Sequence, residues 1–356
     1  MAESESGSGW LPFAAALSLV IFVGLILISA ASTSTLGYDY HAYANAADRL
    51  IHGQALYDPS VNVAGGFAIY LYPPPFVLLA LPFALLPASI APAIWIAAML
   101  GAFLLGVALL PVRREVRWVI VLLGGLSWPL AYSLKLGQVG PLLFLLFAAG
   151  WRWRDQPGRL GASIALGTIV KVQPAILLGW AALTRRYRAI AVALIVGLAA
   201  ALVATLLTGL ATWSDYVELL RRVSTSVTTA HNFTPGAIAF QLGASEGLAG
   251  AIQLAATVAV LVITAWTALR TPAEVGYLTA VTASQLISPL LWDHYAMLLL
   301  LPVAWLLERR RWWAALIPLA TATPIVLLGI VPAAIYPVLF GLGLIAPPLV
   351  AVRSPE

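Results

Sequence analysis

Two long stretches of this chain carry no charged side chain, and they restrict what it can fold into. No charge occurs from Ser6 to Tyr38, and none occurs from Pro59 to Val112. Charged residues make up only 9% of the chain, against 62% hydrophobic residues. Apolar runs of about 18 to 25 residues recur along the sequence, and each can cross a hydrocarbon core of roughly 30 Å as a helix. The runs lack the alternation of barrel strands, so we expect an all-α polytopic membrane protein.

The apolar runs predict one membrane domain over residues 11–353, preceded by a disordered leader at residues 1–10. The first run, Leu11–Ala31, follows an acidic leader and is longer than the apolar core of a secretion signal, so we predict a retained span. Short segments such as Phe76–Pro87 are too short for a comfortable crossing and are expected to be re-entrant or interfacial. Counting such interrupted segments generously gives a bundle of about a dozen membrane helices.

Arginine predicts the orientation of this bundle. Only two of the 19 Lys and Arg residues are lysines, and most arginines cluster in short connections. The positive-inside rule places these clusters in the cytoplasm. The clusters are Arg113, Arg114 and Arg117; Arg152, Arg154 and Arg159; Arg185, Arg186 and Arg188; and Arg309, Arg310 and Arg311. The polar stretches 32–75 and 211–246 are then the first and second extracytoplasmic loops. The net charge of +5 is a topology signal and does not indicate nucleic acid.

The segment Gly37–Pro59 is a polar island directly after the first apolar run, and we expect it to form a juxtamembrane helical loop. All four histidines of the chain fall on the same predicted face as this island, together with most of its aspartates. A membrane-embedded enzyme would keep a catalytic acid in such a place, although an ordinary solvated loop has the same composition. The charged and histidine residues of the island are Asp39, His41, Asp48, Arg49, His52 and Asp58.

The two lysines, Lys135 and Lys171, both stand in hydrophobic surroundings, outside the arginine clusters. An ionisable group at membrane depth is costly and marks a functional cavity by default, although a lysine near a helix end can also snorkel to the interface. Pro174 interrupts the helix close to Lys171 and frees backbone carbonyl groups there. A lone cation beside side-chain and backbone amides is typical of a phosphate site.

Six short motifs follow one another in order between residues 37 and 311. They are Asp39-x-x-x-Tyr43, Gly53-x-x-Leu56-Tyr57, Tyr70-x-Tyr72-Pro73-Pro74, Gly137-Gln138, Gly167-x-x-x-Lys171-x-x-Pro174 and Ser288-Pro289-x-x-Trp292-x-His294. The ordered set resembles glycosyltransferase family 87, which comprises polyprenyl-phosphate-mannose-dependent mannosyltransferases with the GT-C fold. His231-Asn232-Phe233 resembles a polar segment of the family's later outer loop. The family often has a second histidine where this chain has Tyr295.

The resemblance implies a GT-C-like bundle and an inverting transfer of a mannosyl residue from a polyprenyl-phosphate sugar to a lipid or glycan acceptor. The reaction would take place on the outer face of the cell membrane. The acceptor hydroxyl must lose its proton, which makes Asp39 the candidate catalytic base. The leaving phosphate needs cations and hydrogen-bond donors. The candidate contacts to the donor phosphate or the acceptor are Lys171, His294, Lys135, Gln138, His231, Asn232, Tyr43 and Tyr72. No cofactor is predicted, and Asp39 with His41 alone does not make a metal site.

Two other functions remain open at this stage. A secondary transporter or lipid-linked sugar flippase would also use broken helices with buried lysines. Against it, the acids and histidines gather at one predicted face instead of the midplane, and no repeat relates the two halves of the sequence. A catalytically inactive scaffold of the same fold is the third reading. The acceptor and the oligomeric state are not indicated by the sequence.

Overall fold

The computed structural model describes residues 9–57, 69–224, 226–229 and 231–353. These residues form helices and their connections, with one isolated antiparallel bridge between Ser127 and Ala322 and no strand within the described part. Buried residues from Ala15 to Ala346 belong to one hydrophobic core. Most of the predicted leader lies outside the described residues, as do Asp58 and the rest of residues 58–68 in the first predicted loop.

The α-helices fall into an N-terminal and a C-terminal set. The first set is α1 (Trp10–Ser18), α2 (Gly24–Ser32), α3 (Tyr38–Ile51), α4 (Val77–Ala84), α5 (Ala91–Leu109), α6 (Arg114–Leu126), α7 (Trp128–Leu136), α8 (Gly140–Arg152), α9 (Pro157–Val170) and α10 (Ile176–Leu183). The second set is α11 (Tyr187–Thr208), α12 (Ala211–Ser224), α13 (Pro235–Gln241), α14 (Glu246–Arg270), α15 (Ala273–Leu286), α16 (Leu300–Glu308), α17 (Leu316–Leu319), α18 (Thr323–Leu327) and α19 (Ile335–Arg353). A π-helical turn, Leu19–Val23, joins α1 to α2, and short 3₁₀ segments cover Pro74–Phe76, Gln173–Ala175, Ser226–Thr228, Asp293–Leu299 and Trp312–Ala315.

Five helices of the described chain are long and apolar enough to cross a membrane, and a sixth span results if the bent pair α7 and α8 is counted as one. The five are Trp10–Ser32, Ala91–Leu109, Tyr187–Thr208, Glu246–Arg270 and Ile335–Arg353. The chain is therefore an all-helical, multi-pass membrane protein, but the prediction of about a dozen membrane helices is not confirmed. Other apolar stretches, Pro74–Ala84 and Gln173–Leu183, form helices too short for that test. The position of α3 beside a membrane surface stays a prediction.

Helices are interrupted at three places where glycine or proline breaks the hydrogen-bond ladder. Between α7 and α8 the chain bends by 119°, with Gly137 in the left-handed conformation at a φ of 71°. Between α9 and α10, Lys171 is extended and Pro174 follows. After α15, Pro289 lies in an irregular stretch that leads into the 3₁₀ segment Asp293–Leu299. Irregular backbone at membrane depth is tolerated where protein or a cavity shields it.

The four arginine clusters of the sequence come together at one end of the molecule. Three of the clusters share acidic partners, because Glu274 pairs with both Arg154 and Arg309 and Asp155 pairs with both Arg154 and Arg186. The fourth cluster joins them through Glu308, which pairs with Arg113 and directly precedes Arg309 in the chain. The ion pairs that join them are Arg113–Glu308 (3.1 Å), Arg309–Glu274 (2.7 Å), Arg154–Glu274 (3.7 Å) and Arg186–Asp155 (3.0 Å).

Long helices lead from this arginine end to the opposite end. Helix α11 begins directly after Arg186, and its 22 residues extend about 33 Å at 1.5 Å per residue. Helix α5 ends shortly before Arg113 and begins beside Gly37, because a Cβ atom on Gly37 would lie 3.0 Å from the Pro92 side chain. Its 19 residues extend about 28 Å. The start of α3 at Tyr38 is therefore about one membrane thickness away from the arginines.

Two left-handed glycines hold the start of α3 against the break between α7 and α8. Gly37 has a φ of 72° and its N–H donates to the Lys135 carbonyl at 2.8 Å. A Cβ atom on Gly137 would lie 2.9 Å from Tyr40 Cβ and 3.5 Å from Gly37 Cα. The Gly137 carbonyl in turn accepts a hydrogen bond from Trp95 Nε1 at 2.7 Å. This close backbone approach brings Gln138 next to Asp39.

We expect Gly137→Ala to destabilise the protein by more than the left-handed conformation alone explains. The conformation costs a non-glycine residue about 1–2 kcal/mol, and the new methyl group would also push against Tyr40 Cβ, which the α3 backbone fixes. Gly53→Ala is the matched control, because Gly53 has a φ of 65° and nothing within 4 Å of its Cβ position. Thermal unfolding in detergent compares the two variants. Equal losses of stability would contradict the role of the close approach.

Candidate active site

A cavity of about 600 Å³ lies where the three helix breaks meet the start of α3. The break between α7 and α8 contributes Gln138, the break between α9 and α10 contributes Lys171 and Gln173, and much of the segment 287–295 lines the far side. Leu220 and Val223 of α12 add apolar surface. Seven of the residues predicted from the sequence line this one cavity, and they are Asp39, Tyr43, Tyr72, Gln138, Lys171, His231 and His294.

Asp39 is the second residue of α3 and is buried at the edge of the cavity. The positive end of the helix dipole favours a carboxylate at this position. Its Oδ2 accepts a hydrogen bond from Gln138 Nε2 at 2.5 Å. Burial raises the pKa of the Asp39 carboxyl, whereas the His294 ring, the Gln138 amide and the Lys171 ammonium each act to lower it. A carboxylate with a raised pKa is a better proton acceptor than an exposed one.

Two tyrosines fix the orientation of the Gln138 amide. Gln138 Oε1 accepts a hydrogen bond from the Tyr72 hydroxyl at 3.0 Å and lies 3.4 Å from the Tyr43 hydroxyl. The two hydroxyl oxygens are 2.7 Å apart. Because the amide oxygen is engaged by the tyrosines, the amide nitrogen faces Asp39. All three side chains are buried, so this arrangement is rigid.

Lys171 follows the last residue of α9 directly and is buried. Its ammonium donates to the Tyr295 hydroxyl at 2.6 Å and lies 4.1 Å from the centre of the Tyr295 ring. It is also 5.5 Å from the centre of the Tyr72 ring. Within the described part of the chain, Lys171 forms no ion pair with a carboxylate. Burial lowers the pKa of the Lys171 ammonium to about 7, while the Asp39 carboxylate acts to raise it. An anionic phosphate in the cavity would favour the charged form of this amine.

His294 is the least satisfied polar side chain of the cavity. It is 1% exposed, and neither ring nitrogen has a hydrogen-bond partner among the described residues. Asp293 Oδ1 lies 3.5 Å from His294 Nδ1, within ion-pair distance if the ring is protonated but without a hydrogen bond, and Asp293 Oδ2 accepts from Trp128 Nε1 at 2.9 Å. Buried polar groups in native proteins almost always form hydrogen bonds, so an imidazole without one that lines a cavity indicates a ligand contact.

Three of the predicted residues stand apart from this centre. His231 lines the cavity but is exposed, with a φ of 57°. Asn232 does not line it. Its Nδ2 donates to the Pro289 carbonyl at 2.9 Å and its Oδ1 accepts from the Leu291 N–H at 3.0 Å, so it holds the chain around residue 232 against residues 289–291 of the cavity wall. Lys135 is also outside the lining, half-buried, with its ammonium 5.6 Å from the centre of the Tyr132 ring.

Two further cavity residues were missed from the sequence. Tyr295 receives the Lys171 hydrogen bond. Gln173 donates to the Ser288 hydroxyl at 3.0 Å, and its Oε1 is buried with no hydrogen-bond partner among the described residues. The position of Gln173 in the break, close to Lys171, was the available signal for it. The sequence marked Tyr295 only as a departure from the resembling family, and its contact with Lys171 was not predicted because it crosses 124 residues.

Metal ligands do not gather in this cavity. Over the described ranges, no group of three or more His, Asp or Glu side chains is arranged to hold a metal ion. Of the ionisable groups that face the cavity, Asp39 lies on α3, Lys171 lies in the break after α9, and Asp293 and His294 lie in the 3₁₀ segment Asp293–Leu299. The arrangement combines one hydrogen-bonded carboxylate with one cationic amine and one imidazole, which suits proton removal next to a developing anion.

The sequence of the chain is similar to one protein family and to two named relatives. Residues 70–291 match the profile of glycosyltransferase family 87. A relative from Mycobacterium tuberculosis, named polyprenol-phosphate-mannose-dependent alpha-(1-2)-phosphatidylinositol pentamannoside mannosyltransferase, is 30% identical over 83% of this chain and 72% of its own length. A relative of the same name from Mycolicibacterium smegmatis is 27% identical over 76% of this chain and 69% of its own length. No solved structure matches the chain. The family match and the first relative's coverage show that the chain belongs to glycosyltransferase family 87 and is a glycosyltransferase.

Proposed function

We propose that this protein transfers a mannosyl residue from a polyprenyl-phosphate-mannose donor to a hydroxyl group of a lipid or glycan acceptor, with inversion at the anomeric carbon. The observation that carries the proposal is the convergence of Asp39, Lys171 and His294 on one cavity. The names of the two relatives support the donor and a glycolipid acceptor. Apolar lining residues such as Leu220 and Val223 suit the hydrocarbon of a lipid substrate.

In the proposed reaction the acceptor oxygen forms a bond to the anomeric carbon while the bond from that carbon to the phosphate oxygen breaks. The acceptor proton passes to Asp39. The bonding electrons leave with the polyprenyl phosphate, which changes from a phosphodiester with one negative charge to a phosphate monoester with two. Lys171 and His294 bind this phosphate, and their stabilisation grows as its charge develops. Gln138, Tyr43 and Tyr72 hold Asp39 in place, and His231 contacts the acceptor at the mouth of the cavity.

The proposal puts the cavity at the extracytoplasmic face of the cell membrane. Its support is the separation of the arginine network from the start of α3 by a full helix length, together with the positive-inside rule. Polyprenyl-phosphate sugars are membrane lipids, so a site at the end of the spans receives the donor from the bilayer. Lys135 lies near the same end and, being outside the cavity lining, is assigned no contact with the reacting groups.

Asp39→Asn should reduce mannosyl transfer by about a hundredfold or more, because the amide keeps the shape of the carboxylate and loses its basicity. The assay is the incorporation of radiolabelled mannose from polyprenyl-phosphate-mannose into a lipid acceptor extract by the purified protein. Asp48→Asn is the matched control, since Asp48 lies on the same helix and is exposed. Wild-type transfer by folded Asp39→Asn would end the assignment of Asp39 as base. Absence of transfer by the wild-type protein with this donor would contradict the proposed function itself.

Gln138→Leu should move the acid limb of the pH profile of kcat/KM to higher pH. The Gln138 N–H stabilises the ionised form of Asp39, so its loss adds to the effect of burial and raises the Asp39 pKa further. A hydrogen bond to a charged group is worth about 1.5–3 kcal/mol, which corresponds to a shift of about one to two pH units. The base form is required, so activity is lost as the pH falls below the raised pKa. A reduced rate with an unmoved acid limb would instead make Gln138 a substrate contact.

Lys171→Met should raise the apparent KM for the donor by about tenfold or more, because a charged hydrogen bond to the phosphate is lost. The KM for the acceptor should change much less. Lys135→Met is the control, since it removes the other lysine of the chain by the same substitution outside the cavity lining. Steady-state kinetics with each substrate varied in turn measures both values. An unchanged donor KM in Lys171→Met would show that Lys171 does not bind the phosphate.

A further inference from the structure

A second cavity, of about 470 Å³, lies at the arginine end of the molecule, far from the candidate active site. It is formed between the first turns of α9 and α11. These helices pack very closely, because a Cβ atom on Gly161 would lie 2.4 Å from the Ala189 carbonyl oxygen. The cavity walls are therefore held by a tight helix pair.

Four arginines line this cavity, and no acidic residue does. Arg154 and Arg186 are engaged by carboxylates outside it, Arg154 with Glu274 at 3.7 Å and Arg186 with Asp155 at 3.0 Å. The other two, Arg185 and Arg188, are exposed and form no ion pair within the described part of the chain.

The helix geometry adds to this positive charge. Both α9, with 14 residues, and α11, with 22 residues, begin at the cavity, so the positive ends of two helix dipoles face the same place as the arginines. Pro157 has no N–H, and the Leu160 and Ala189 N–H groups donate to the Gln156 and Arg186 carbonyls. The N–H groups that a helix start leaves without an intrahelical partner are here those ahead of these two, such as the N–H groups of Tyr187 and Arg188 at the cavity. The cavity combines fixed positive charge with hydrogen-bond donors, which is the chemistry that recognises a phosphate group.

The surface that continues from the cavity along α11 is apolar. Tyr187 stands at its rim and is exposed, and Leu194, Ile195 and Leu198 follow on the exposed side of the same helix. Only about a tenth of the apolar part of α11 is buried inside the protein, so this face is free to contact the bilayer. A ligand that fits both parts has an anionic phosphate at one end and hydrocarbon chains at the other.

We propose that this cavity binds the headgroup of an anionic phospholipid, with the phosphate among Arg154, Arg185, Arg186 and Arg188 and the acyl chains along α11. The positive-inside rule accounts for arginines at this end, but it requires neither a cavity nor two unpaired arginines beside it. Basic pockets between membrane helices on the cytoplasmic side bind anionic headgroups in this way. The proposal does not depend on the reaction that the other cavity performs.

The test is native mass spectrometry of the purified full-length protein titrated with phosphatidylglycerol, with phosphatidylcholine as the neutral lipid. We expect one phosphatidylglycerol to bind preferentially, and Arg185→Gln with Arg188→Gln to weaken its binding by about tenfold or more, since each arginine near an anionic lipid contributes measurably. The control double variant is Arg114→Gln with Arg270→Gln, which removes two exposed arginines outside the cavity. Phosphatidylglycerol binding by the control should stay within about twofold of the wild type, because salt screens distant exposed charges.

Equal weakening in both double variants would overturn the proposal, because it would show a general effect of surface charge. The same holds if phosphatidylcholine binds as well as phosphatidylglycerol. Inorganic phosphate provides the second arm: if millimolar phosphate displaces the lipid and raises the unfolding temperature as much as phosphatidylglycerol does, the site takes a free phosphate and not a lipid. Should the double variant fail to fold, Arg188→Gln alone is compared with Arg114→Gln by the same titration.

Discussion

A backbone that enters hydrocarbon has to pair its own N–H and C=O groups, and this constraint decides where the chain can be irregular. The breaks after α7, α9 and α15 would each expose such groups to lipid if they lay apart. They lie together instead, around one cavity, where polar side chains and protein packing surround them. The same breaks supply Gln138, Lys171 and His294. Clustering the irregular backbone therefore also collects the side chains that can do chemistry.

Within that cavity the buried polar groups fall into two classes. Gln138 and Asp39 are satisfied by each other and by two tyrosines, so their positions are fixed before any substrate binds. His294 has no hydrogen-bond partner among the described residues at either ring nitrogen. An unpaired buried group costs stability unless a ligand engages it. The side of the cavity where Asp39 and Gln138 are already hydrogen-bonded thus suits the base, because the position of the base must be fixed. The side where His294 has no hydrogen bond suits the phosphate.

The sequence alone was informative where a charged residue stands beside a long uncharged stretch. Asp39 stands out because it follows a long uncharged run, Lys171 stands out because it lies in an apolar stretch outside the arginine clusters, and the class of fold follows from the apolar runs. The count of about a dozen membrane helices is not confirmed, because apolar composition is the same in a full span and in a short helix such as Gln173–Leu183. The hydrogen bond between Tyr295 and Lys171 was not predicted, and neither was the hydrogen bond that ties Asn232 to Leu291. Both contacts join segments that are distant in the chain.

The partners of the two oppositely charged groups explain how both remain usable in one cavity. If Asp39 and Lys171 formed an ion pair, the carboxylate would lose basicity and the ammonium would lose its attraction for phosphate. Each charge instead has a neutral partner, the Gln138 amide for Asp39 and the Tyr295 hydroxyl for Lys171. A neutral hydrogen bond offsets part of the cost of burial without cancelling the charge. Tyr295 thus gives Lys171 a hydrogen-bond acceptor that carries no charge, so the amine stays available to an anionic phosphate.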